Sequence, residues 1–262
     1  MIHHVKYIHP TSQKWVVFVH GAGGSSTIWF KQLRDYKRHF NVLLLDLRGH
    51  GNSKPKIKDT LNTKYTFDFI TDDIVEVLDE AHIKSAHFVG ISLGCILIRN
   101  LSEKYPDRVE SMILGGSIMK MNIRSRFLMI AGNIFKSVIP YMLLYKLFAF
   151  VIMPRKNHKK SRTLFVREAQ KLYQNEFIKW FKLSSEVNPL LKFFRERDNK
   201  IPALYVMGEE DYLFLPAVRD TVKKHSRAAL HIIQNCGHVV NVEQPVEFNS
   251  VTIDFINGVS RD

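Results

Sequence analysis

Gly90-Ile91-Ser92-Leu93-Gly94 matches the pattern G-x-S-x-G and lies between two segments of different periodicity. The apolar run at 86–90 predicts a β-strand, and the run at 95–101 predicts a helix. A serine between a strand and a helix occupies a very tight turn, where flanking glycines avoid the clash that Cβ atoms would cause. Such a turn presents the serine hydroxyl beside the free N–H groups of the next helix. The alternative is a chance match in an ordinary strand-to-helix turn, but the flanking segments favour a nucleophilic Ser92.

The chain has 262 residues, of which 45% are hydrophobic and 24% are charged, enough for one large domain with a buried core. The N-terminus lacks a basic segment followed by an apolar one, so we expect no secretory signal. We therefore expect a cytoplasmic protein, with a peripheral membrane location as the alternative. Cys95 and Cys236 are then expected as buried thiols rather than as a disulfide. No C-x-x-C or H-E-x-x-H spacing occurs, so we expect no metal.

The net charge is +13, and much of the basic excess lies between Lys120 and Lys200. This excess predicts attraction to an anionic surface. No nucleic-acid-binding motif accompanies it, and the nearby apolar residues are long aliphatics, so a lipid surface is favoured and nucleic acid is not expected as a partner. The apolar segment 127–153 is nearly long enough to span a membrane. Lys136, Pro140 and Lys146 interrupt it, which favours apolar helices that cover the sheet.

Strand and helix patterns alternate along most of the chain. Strands are predicted at 5–8, 15–20, 41–46, 86–90, 109–114, 203–208 and 230–233. Helices are predicted at 27–36, 66–81, 95–101, 216–225 and 245–256. This alternation predicts an α/β fold with a mostly parallel central sheet flanked by helices. Residues 119–195 are helical in composition and contain no strand pattern. We therefore expect one core domain, formed by 1–118 and 196–262, with a helical cap inserted at 119–195.

A serine nucleophile needs a base within hydrogen-bond reach and an acid that orients the base. Catalytic groups of parallel sheets gather beyond the carboxyl ends of the strands, and Asp211 and His238 each follow a predicted strand. The chain order Ser92, Asp211, His238 resembles that of the α/β-hydrolase family, in its serine carboxylesterase or lipase-like branch. The resemblance covers the whole chain except 119–195, where that family places its variable cap. It implies that Ser92 is the nucleophile, Asp211 the acid and His238 the base.

Two other assignments of these roles stay open. His50 also lies on a loop after a strand, but it precedes Ser92 in the chain, which disfavours it as the base. Glu209 or Glu210 could replace Asp211, since glutamate is the acid in some members of that family. Asp211 is favoured because it occupies the family's position.

His20-Gly21-Ala22-Gly23-Gly24 follows the second predicted strand and resembles the family's H-G-x-G loop. By this resemblance, the backbone amides of Ala22 and Leu93 stabilise the oxyanion. A glycine-rich loop can also hold phosphate, but this one lacks a GK[ST] ending and a third spaced glycine, so we expect no nucleotide. Segment 46–53 resembles the family signature D-x-R-G-x-G-x-S. It predicts a rigid loop near the site, with Arg48 bound to backbone or to a carboxylate.

The cap and the sheet are expected to enclose a pocket for a hydrophobic acyl or alkyl group. The candidate substrate contacts are Met119, Phe127 and Met142, joined by Met121, Met129, Ile130 and Leu143. The alternative is that these side chains form only the core of the cap. An apolar cap flanked by lysines and arginines also predicts peripheral contact with an anionic membrane.

These features predict a serine hydrolase that cleaves small-molecule carboxylic esters with a hydrophobic acyl group. The resemblance implies an acyl-enzyme intermediate and no cofactor. In relatives that open epoxides or displace halides, aspartate takes the nucleophile's position, so Ser92 disfavours those activities. Hydrolysis of C–C bonds, thioesters or amides uses the same three residues and stays an alternative. A ligand-sensing or signalling role with slow turnover is the other alternative.

Overall fold

A seven-stranded sheet forms the centre of the molecule, in a computed structural model that describes residues 1–53, 64–121 and 141–259. Its strands are β1 (His4–Tyr7), β2 (Trp15–Val19), β3 (Asn41–Leu45), β4 (Ala86–Ile91), β5 (Val109–Gly115), β6 (Ala203–Gly208) and β7 (Ala228–Ile233). The spatial order is β1-β3-β2-β4-β5-β6-β7. Only the β1–β3 pair within this sheet is antiparallel. The predicted α/β class with a mostly parallel sheet is confirmed.

The central strands are covered on both faces, which is why their sequences are continuous apolar runs. Every residue of β3 and of β4 is buried. In β2, Val17 pairs with Leu43 on one side and with Phe88 on the other. Because β2, β4, β5, β6 and β7 are all parallel to their neighbours, their carboxyl ends lie at one edge of the sheet.

Ten α-helices of the described residues surround the sheet. They are α1 (Leu33–Tyr36), α2 (Phe67–Glu80), α3 (Leu93–Lys104), α4 (Tyr141–Ile152), α5 (Lys159–Ala169), α6 (Gln174–Ser185), α7 (Asn188–Glu196), α8 (Leu215–Val222), α9 (Val240–Glu243) and α10 (Pro245–Gly258). The Thr66 hydroxyl caps α2 by accepting from the N–H of Phe69 at 3.1 Å. The helix predicted at 27–36 is instead a 3₁₀ turn, Ser26–Trp29, followed by α1.

Helices α4 to α7 lie between β5 and β6, where the sequence predicts a cap. Polar contacts hold them against the rest of the molecule. The buried Glu168 carboxylate of α5 accepts from the Ser25 hydroxyl at 2.8 Å, and that of Glu176 in α6 accepts from the Tyr65 hydroxyl. Helix α7 buries Phe194 in the same apolar cluster as the central strands. The division between core and cap at 119–195 stays a prediction.

Glycines allow α3 to lie directly against β2. A Cβ on Gly94 would lie 2.2 Å from the carbonyl oxygen of Val19, and a Cβ on Gly90 would lie 2.6 Å from Cδ1 of Ile98. Both distances are shorter than real contacts allow, so the close packing of this helix requires glycine at both positions. Within the three described ranges, no helix is both long enough and apolar enough to cross a membrane.

Candidate active site

Ser92 lies in a strained turn between β4 and α3. Its φ of 55° and ψ of −115° fall outside the regions that L-residues ordinarily adopt. The N–H of Ser92 donates to the carbonyl of Gly115 at 3.0 Å, which ties the turn to the neighbouring strand. The glycines at 90 and 94 leave room for the turn. The surrounding packing therefore holds Ser92 in its strained conformation. Strained backbone conformations of this kind cluster at functional sites.

The structure brings Ser92, His238 and Asp211 into one chain of hydrogen bonds. Oγ of Ser92 lies 3.0 Å from Nε2 of His238. Nδ1 of His238 lies 2.7 Å from Oδ2 of Asp211. An ionised carboxylate only accepts, so Nδ1 carries the proton and the lone pair of Nε2 accepts from the serine hydroxyl. Both Asp211 and His238 are buried. The arrangement can take the serine proton as Oγ attacks an electrophile.

Backbone contacts hold the loops that carry the acid and the base. The Asp211 N–H donates to the carbonyl of Gly208 at 3.1 Å, and its Oδ1 accepts from the N–H of Phe214 at 3.3 Å. A Cβ on Gly208 would lie 2.1 Å from the carbonyl oxygen of Gly237, so the two loops pack backbone against backbone. The Phe214 ring lies beside the imidazole of His238, with centroids 5.2 Å apart. The orientation of the acid relative to the base is thus set by main-chain packing.

The rival residues have other partners. Nε2 of His50 accepts from the N–H of Gly23 at 2.9 Å, and Nδ1 donates to the Arg48 carbonyl at 3.1 Å, so both ring nitrogens bind backbone. Glu210 is buried and accepts from Nε2 of His158 at 2.7 Å. The Glu209 carboxylate lies beside the backbone N–H of Asn235. None of the three rivals is bonded to Ser92 or to His238.

Sequence reasoning missed a buried polar cluster next to His238. His158 and Arg155, which come from the loop between α4 and α5, both bind the carboxylate of Glu210. Across the fully buried His158 ring, Glu243 accepts from the N–H of Gly237 at 2.7 Å. In the sequence, His158 lies in the run 155–160 of the basic segment 120–200, whose charges predict attraction to an anionic surface. One of its members is instead enclosed against the loop that carries the base.

The glycine-rich loop after β2 lies against the nucleophile. A Cβ on Gly21 would lie 3.1 Å from the carbonyl oxygen of Ile91 and 3.3 Å from Cβ of Ser92. Ala22 and Leu93 line the same cavity as Ser92. Leu93 is the first residue of α3, so its N–H has no acceptor inside the helix. The two residues predicted to supply the oxyanion donors thus line the cavity that contains Ser92, and their role stays a prediction.

His20 and Arg48 support this region from beneath. Nε2 of His20 accepts from the N–H of Leu47 at 2.9 Å, while Nδ1 donates to the Gly21 carbonyl at 2.8 Å. Burial lowers the pKa of His20, in keeping with a neutral ring. Arg48 binds both carboxylate oxygens of Asp73, at 2.8 Å from Nε to Oδ2. Arg48 is thus bound to a carboxylate, as its sequence predicts, and the rigidity of the loop 46–53 stays a prediction.

A largely apolar cavity, partly open to solvent, lies between Ser92 and the helices α4 to α6. Its described lining comprises Ala22, Gly23, Ser92, Leu93, Ile96, Ile118, Met121, Tyr145, Phe148, Val151, Ile152, Phe165, Leu172, Phe177, Trp180, Phe181, Ser184, Val187, Leu213 and Phe214. Aromatic rings contribute more of this lining than methionines do. The cavity can hold an apolar group attached to an atom that reacts at Ser92.

The described lining of the cavity does not include Met119 or Met142, two of the three predicted substrate contacts. Met119 is buried in the apolar cluster of the sheet. Met142 of α4 is half-buried, and the residues of that helix that line the cavity are Tyr145, Phe148, Val151 and Ile152. Phe127 lies outside the described residues. Met121, which was predicted alongside them, does line the cavity.

Cys95 and Cys236 are free, buried thiols, and burial raises the pKa of each. They are therefore protonated packing residues. Among the residues that the structure describes, no three His, Cys, Asp or Glu side chains are placed to hold a metal ion.

Comparisons with known proteins agree with this architecture. The sequence pattern of the α/β hydrolase fold family matches residues 14–139. An uncharacterized carboxylesterase of Bacillus subtilis is 24% identical, with 98% of this chain and 85% of that protein covered. A putative carbamate hydrolase of Caulobacter sp. is 26% identical over 98% of this chain and 96% of its own. The crystal structure of an enol-lactonase from Burkholderia xenovorans superposes with a TM-score of 0.81 at 20% identity, covering 98% and 96% of the two chains. The seven-stranded sheet and these matches show that the chain has the α/β-hydrolase fold.

We predict that acid destabilises this protein partly through His50. Burial, followed by the nearby His20, lowers the pKa of His50 to about 3. The unfolded chain takes up this proton below a pH of about 6.5, so it binds more protons than the folded state between these two values, and stability falls as pH decreases. His50 alone should lower the free energy of unfolding by about 2 kcal/mol between about pH 7.5 and pH 5.

Urea unfolding of the wild type and of His50→Gln at both pH values measures this contribution. Glutamine keeps an acceptor for the N–H of Gly23 but does not titrate. The wild type should lose about 2 kcal/mol more on acidification than the variant does. Equal losses in both proteins would contradict the prediction.

Proposed function

We propose that this protein is a serine hydrolase that cleaves carboxylic esters with an uncharged, apolar acyl group. The observation that carries the proposal is the hydrogen-bonded chain Ser92–His238–Asp211 beside an apolar cavity. The match of residues 14–139 to the sequence pattern of the α/β hydrolase fold family supports hydrolysis. The names of two similar proteins, a carboxylesterase and an enol-lactonase, favour an ester as the bond that is cleaved.

In the proposed first step, His238 takes the proton of Ser92 while Oγ attacks the ester carbonyl. The carbonyl oxygen becomes an oxyanion, which accepts hydrogen bonds from the amides of Ala22 and Leu93. His238 then gives its proton to the leaving alcohol, and the acyl group stays on Ser92. In the second step, water attacks this acyl-enzyme with the same help from His238 and releases the acid. Asp211 stabilises the imidazolium that forms in each step.

The lining of the cavity supports an uncharged substrate. The described lining residues include no Lys, Arg, Asp, Glu or His side chain. Two of the polar groups there are already bonded: the Tyr145 hydroxyl donates to the Ala22 carbonyl, and Nε1 of Trp180 donates to the Arg48 carbonyl. A charged acyl group would be desolvated beside these rings without a counter-ion, which costs several kcal/mol.

The same three residues also suit thioesters, amides and C–C bonds, and a slow-turnover sensor would keep them too. Steady-state hydrolysis of p-nitrophenyl esters separates an esterase from a sensor, because a sensor releases one equivalent of nitrophenol and then stops. A p-nitrophenyl alkanoate should be hydrolysed far faster than the hemisuccinate of similar length. Equal rates for the two esters would argue against an apolar acyl site.

We predict that a fluorophosphonate labels this protein on Ser92 and that Ser92→Ala abolishes the labelling. The ester hydrolysis rate of the variant should fall on the order of a millionfold, because serine and histidine act as a unit. Intact-mass spectrometry and a p-nitrophenyl ester assay measure the two effects.

Ser184→Ala is the matched control, since it removes the other serine hydroxyl that lines the cavity. This variant should be labelled at a rate close to that of the wild type. Labelling that survives in Ser92→Ala, or that is lost equally in both variants, would contradict the assignment of the nucleophile.

A further inference from the structure

Helix α4 is apolar on two opposite sides. Tyr145, Phe148 and Ile152 on its inner side line the cavity. On its outer side Leu143 is 59% exposed, Leu147 is 48% exposed and Phe150 is 56% exposed. Residues at i, i+4 and i+7 share one face of a helix, so these three form a continuous outer stripe. A surface helix normally carries only one apolar face, and a second one needs a partner of its own.

The segment that carries this outer stripe is strongly basic. Residues 141–171 contain one acidic side chain, Glu168, which is buried and bound to Ser25. The same segment contains eight basic residues: Lys146, Arg155, Lys156, Lys159, Lys160, Arg162, Arg167 and Lys171.

Three of these cations line a shallow groove at the outer side of α4 and α5. The lining of this groove within the described residues is Lys146, Phe150, Arg162, Thr163, Val166, Arg167 and Gln170, with no carboxylate. The guanidinium of Arg162 lies 5.4 Å from the ring centroid of Phe150, so cation and apolar stripe are contiguous. The groove thus combines three cations with apolar side chains and is continuous with the outer stripe through Phe150.

We propose that the outer stripe and this groove dock on an anionic lipid surface. The headgroup layer of such a surface provides phosphates for the cations and an acyl boundary for the three exposed apolar side chains. A purely acidic partner would satisfy the cations and leave the stripe in water. The docking surface and the cavity lie on opposite sides of α4, so docking covers none of the described residues that line the cavity.

The test is co-sedimentation with vesicles of phosphatidylcholine alone and of phosphatidylcholine mixed with phosphatidylglycerol, at low and high salt. We expect binding to the anionic vesicles only, weakened by salt. The double variant Lys146→Gln/Arg167→Gln should bind roughly 30-fold more weakly, at about fivefold for each cation removed. Leu147→Ser/Phe150→Ser should also lose binding, because the stripe no longer buries apolar surface.

Lys223→Gln/Lys224→Gln is the matched control, since it removes two exposed lysines at the end of α8 and should bind as the wild type does. Thermal unfolding of each variant shows that it is folded. Equal binding to neutral and anionic vesicles, or unchanged binding by both groove variants, would overturn the proposal. So would retention on immobilised polyglutamate without any vesicle binding, which would assign the groove to an acidic polypeptide.

On the inner side of the same helix, Tyr145 holds the peptide group between Ala22 and Gly23. The Tyr145 hydroxyl donates to the Ala22 carbonyl at 2.8 Å. The other end of this peptide group, the N–H of Gly23, donates to Nε2 of His50 at 2.9 Å. Both polar atoms of one peptide are therefore bound by side chains from different parts of the molecule. Rotation of this peptide would break two buried hydrogen bonds.

The loop is shaped to receive Tyr145. Gly23 has a φ of +70°, and a Cβ there would lie 2.2 Å from the tyrosine hydroxyl. The Tyr145 ring is buried and stacks on Phe165, with centroids 4.6 Å apart and planes inclined by 24°. Only glycine at 23 permits this approach, and the stacked ring cannot turn away from the loop without losing its packing.

We infer that Tyr145 is a positioning residue that orients the amide of Ala22 for the oxyanion. This inference rests on the proposed function. Ala22 contributes its N–H to the proposed oxyanion site, and its own carbonyl is the group that Tyr145 fixes. The contact makes the oxyanion site depend on α4, although no side chain of that helix reacts.

Tyr145→Phe tests the inference because it keeps the stacked ring and removes one hydrogen bond. We expect kcat for a p-nitrophenyl ester to fall roughly tenfold with KM nearly unchanged, a smaller effect than the ~10²–10³ of losing an oxyanion donor outright. The Ser92 hydroxyl oxygen adds to the carbonyl of an alkyl trifluoromethyl ketone, and the ketone oxygen becomes an oxyanion. The affinity for this ketone should fall by the same factor as kcat/KM.

Tyr105→Phe is the control, since its hydroxyl binds Asp72 at the surface and its loss should change neither quantity. Unchanged kcat and ketone affinity in Tyr145→Phe would overturn the inference. A rise in KM alone would also overturn it, because Tyr145 would then only shape the cavity. Failure of the proposed function looks different: the wild type itself would neither hydrolyse esters nor react with fluorophosphonate.

Discussion

The backbone turn at Ser92 is the constraint on which the rest of the site depends. Its φ of 55° lies between Gly90, which packs against the backbone of Gly94 and Cys95, and Gly94, which lets α3 pack against the carbonyl oxygen of Val19. That packing brings the start of a helix and the glycine-rich loop after β2 to the same point. Ala22, Ser92 and Leu93 therefore line one cavity. A larger residue at either glycine would push α3 away from the strands and so separate Ser92 from the glycine-rich loop, without changing any of the residues in the site.

The environment of each buried histidine decides what it can do. His238 faces the carboxylate of Asp211, which fixes the proton on Nδ1 and leaves Nε2 for Ser92. His20 and His50 have the same tautomer, yet their Nε2 atoms accept from backbone N–H groups. Burial lowers the pKa of both, so they serve as neutral hydrogen-bond partners of two loops. Two of these three histidines therefore hold main chain, and the third faces the hydroxyl whose proton we propose that it accepts.

Much of the fold and the placement of Ser92, Asp211 and His238 could be predicted from the sequence. The fold depends on local patterns, and the three residues lie at the edge where the carboxyl ends of the parallel strands meet. The cavity lining was less predictable. Met119 and Met142 satisfy the composition expected of a lining, but which side chains face a cavity depends on how loops and helices pack against the sheet. Contacts such as Tyr145 with Ala22 join residues far apart in the chain and leave no local pattern. His158, in a basic run, is buried only because Glu210 and Gly237 enclose it.

The central claim is that Asp211 holds His238 in the tautomer that accepts the proton of Ser92. The most direct measurement is kcat for a p-nitrophenyl ester in Asp211→Asn, a variant of nearly the same shape whose amide stabilises the other tautomer. The account predicts a loss of about 10⁴-fold, with the thermal unfolding temperature little changed. A folded variant that keeps kcat within a few-fold of the wild type would contradict the claim, because the proton would then leave Ser92 by another route.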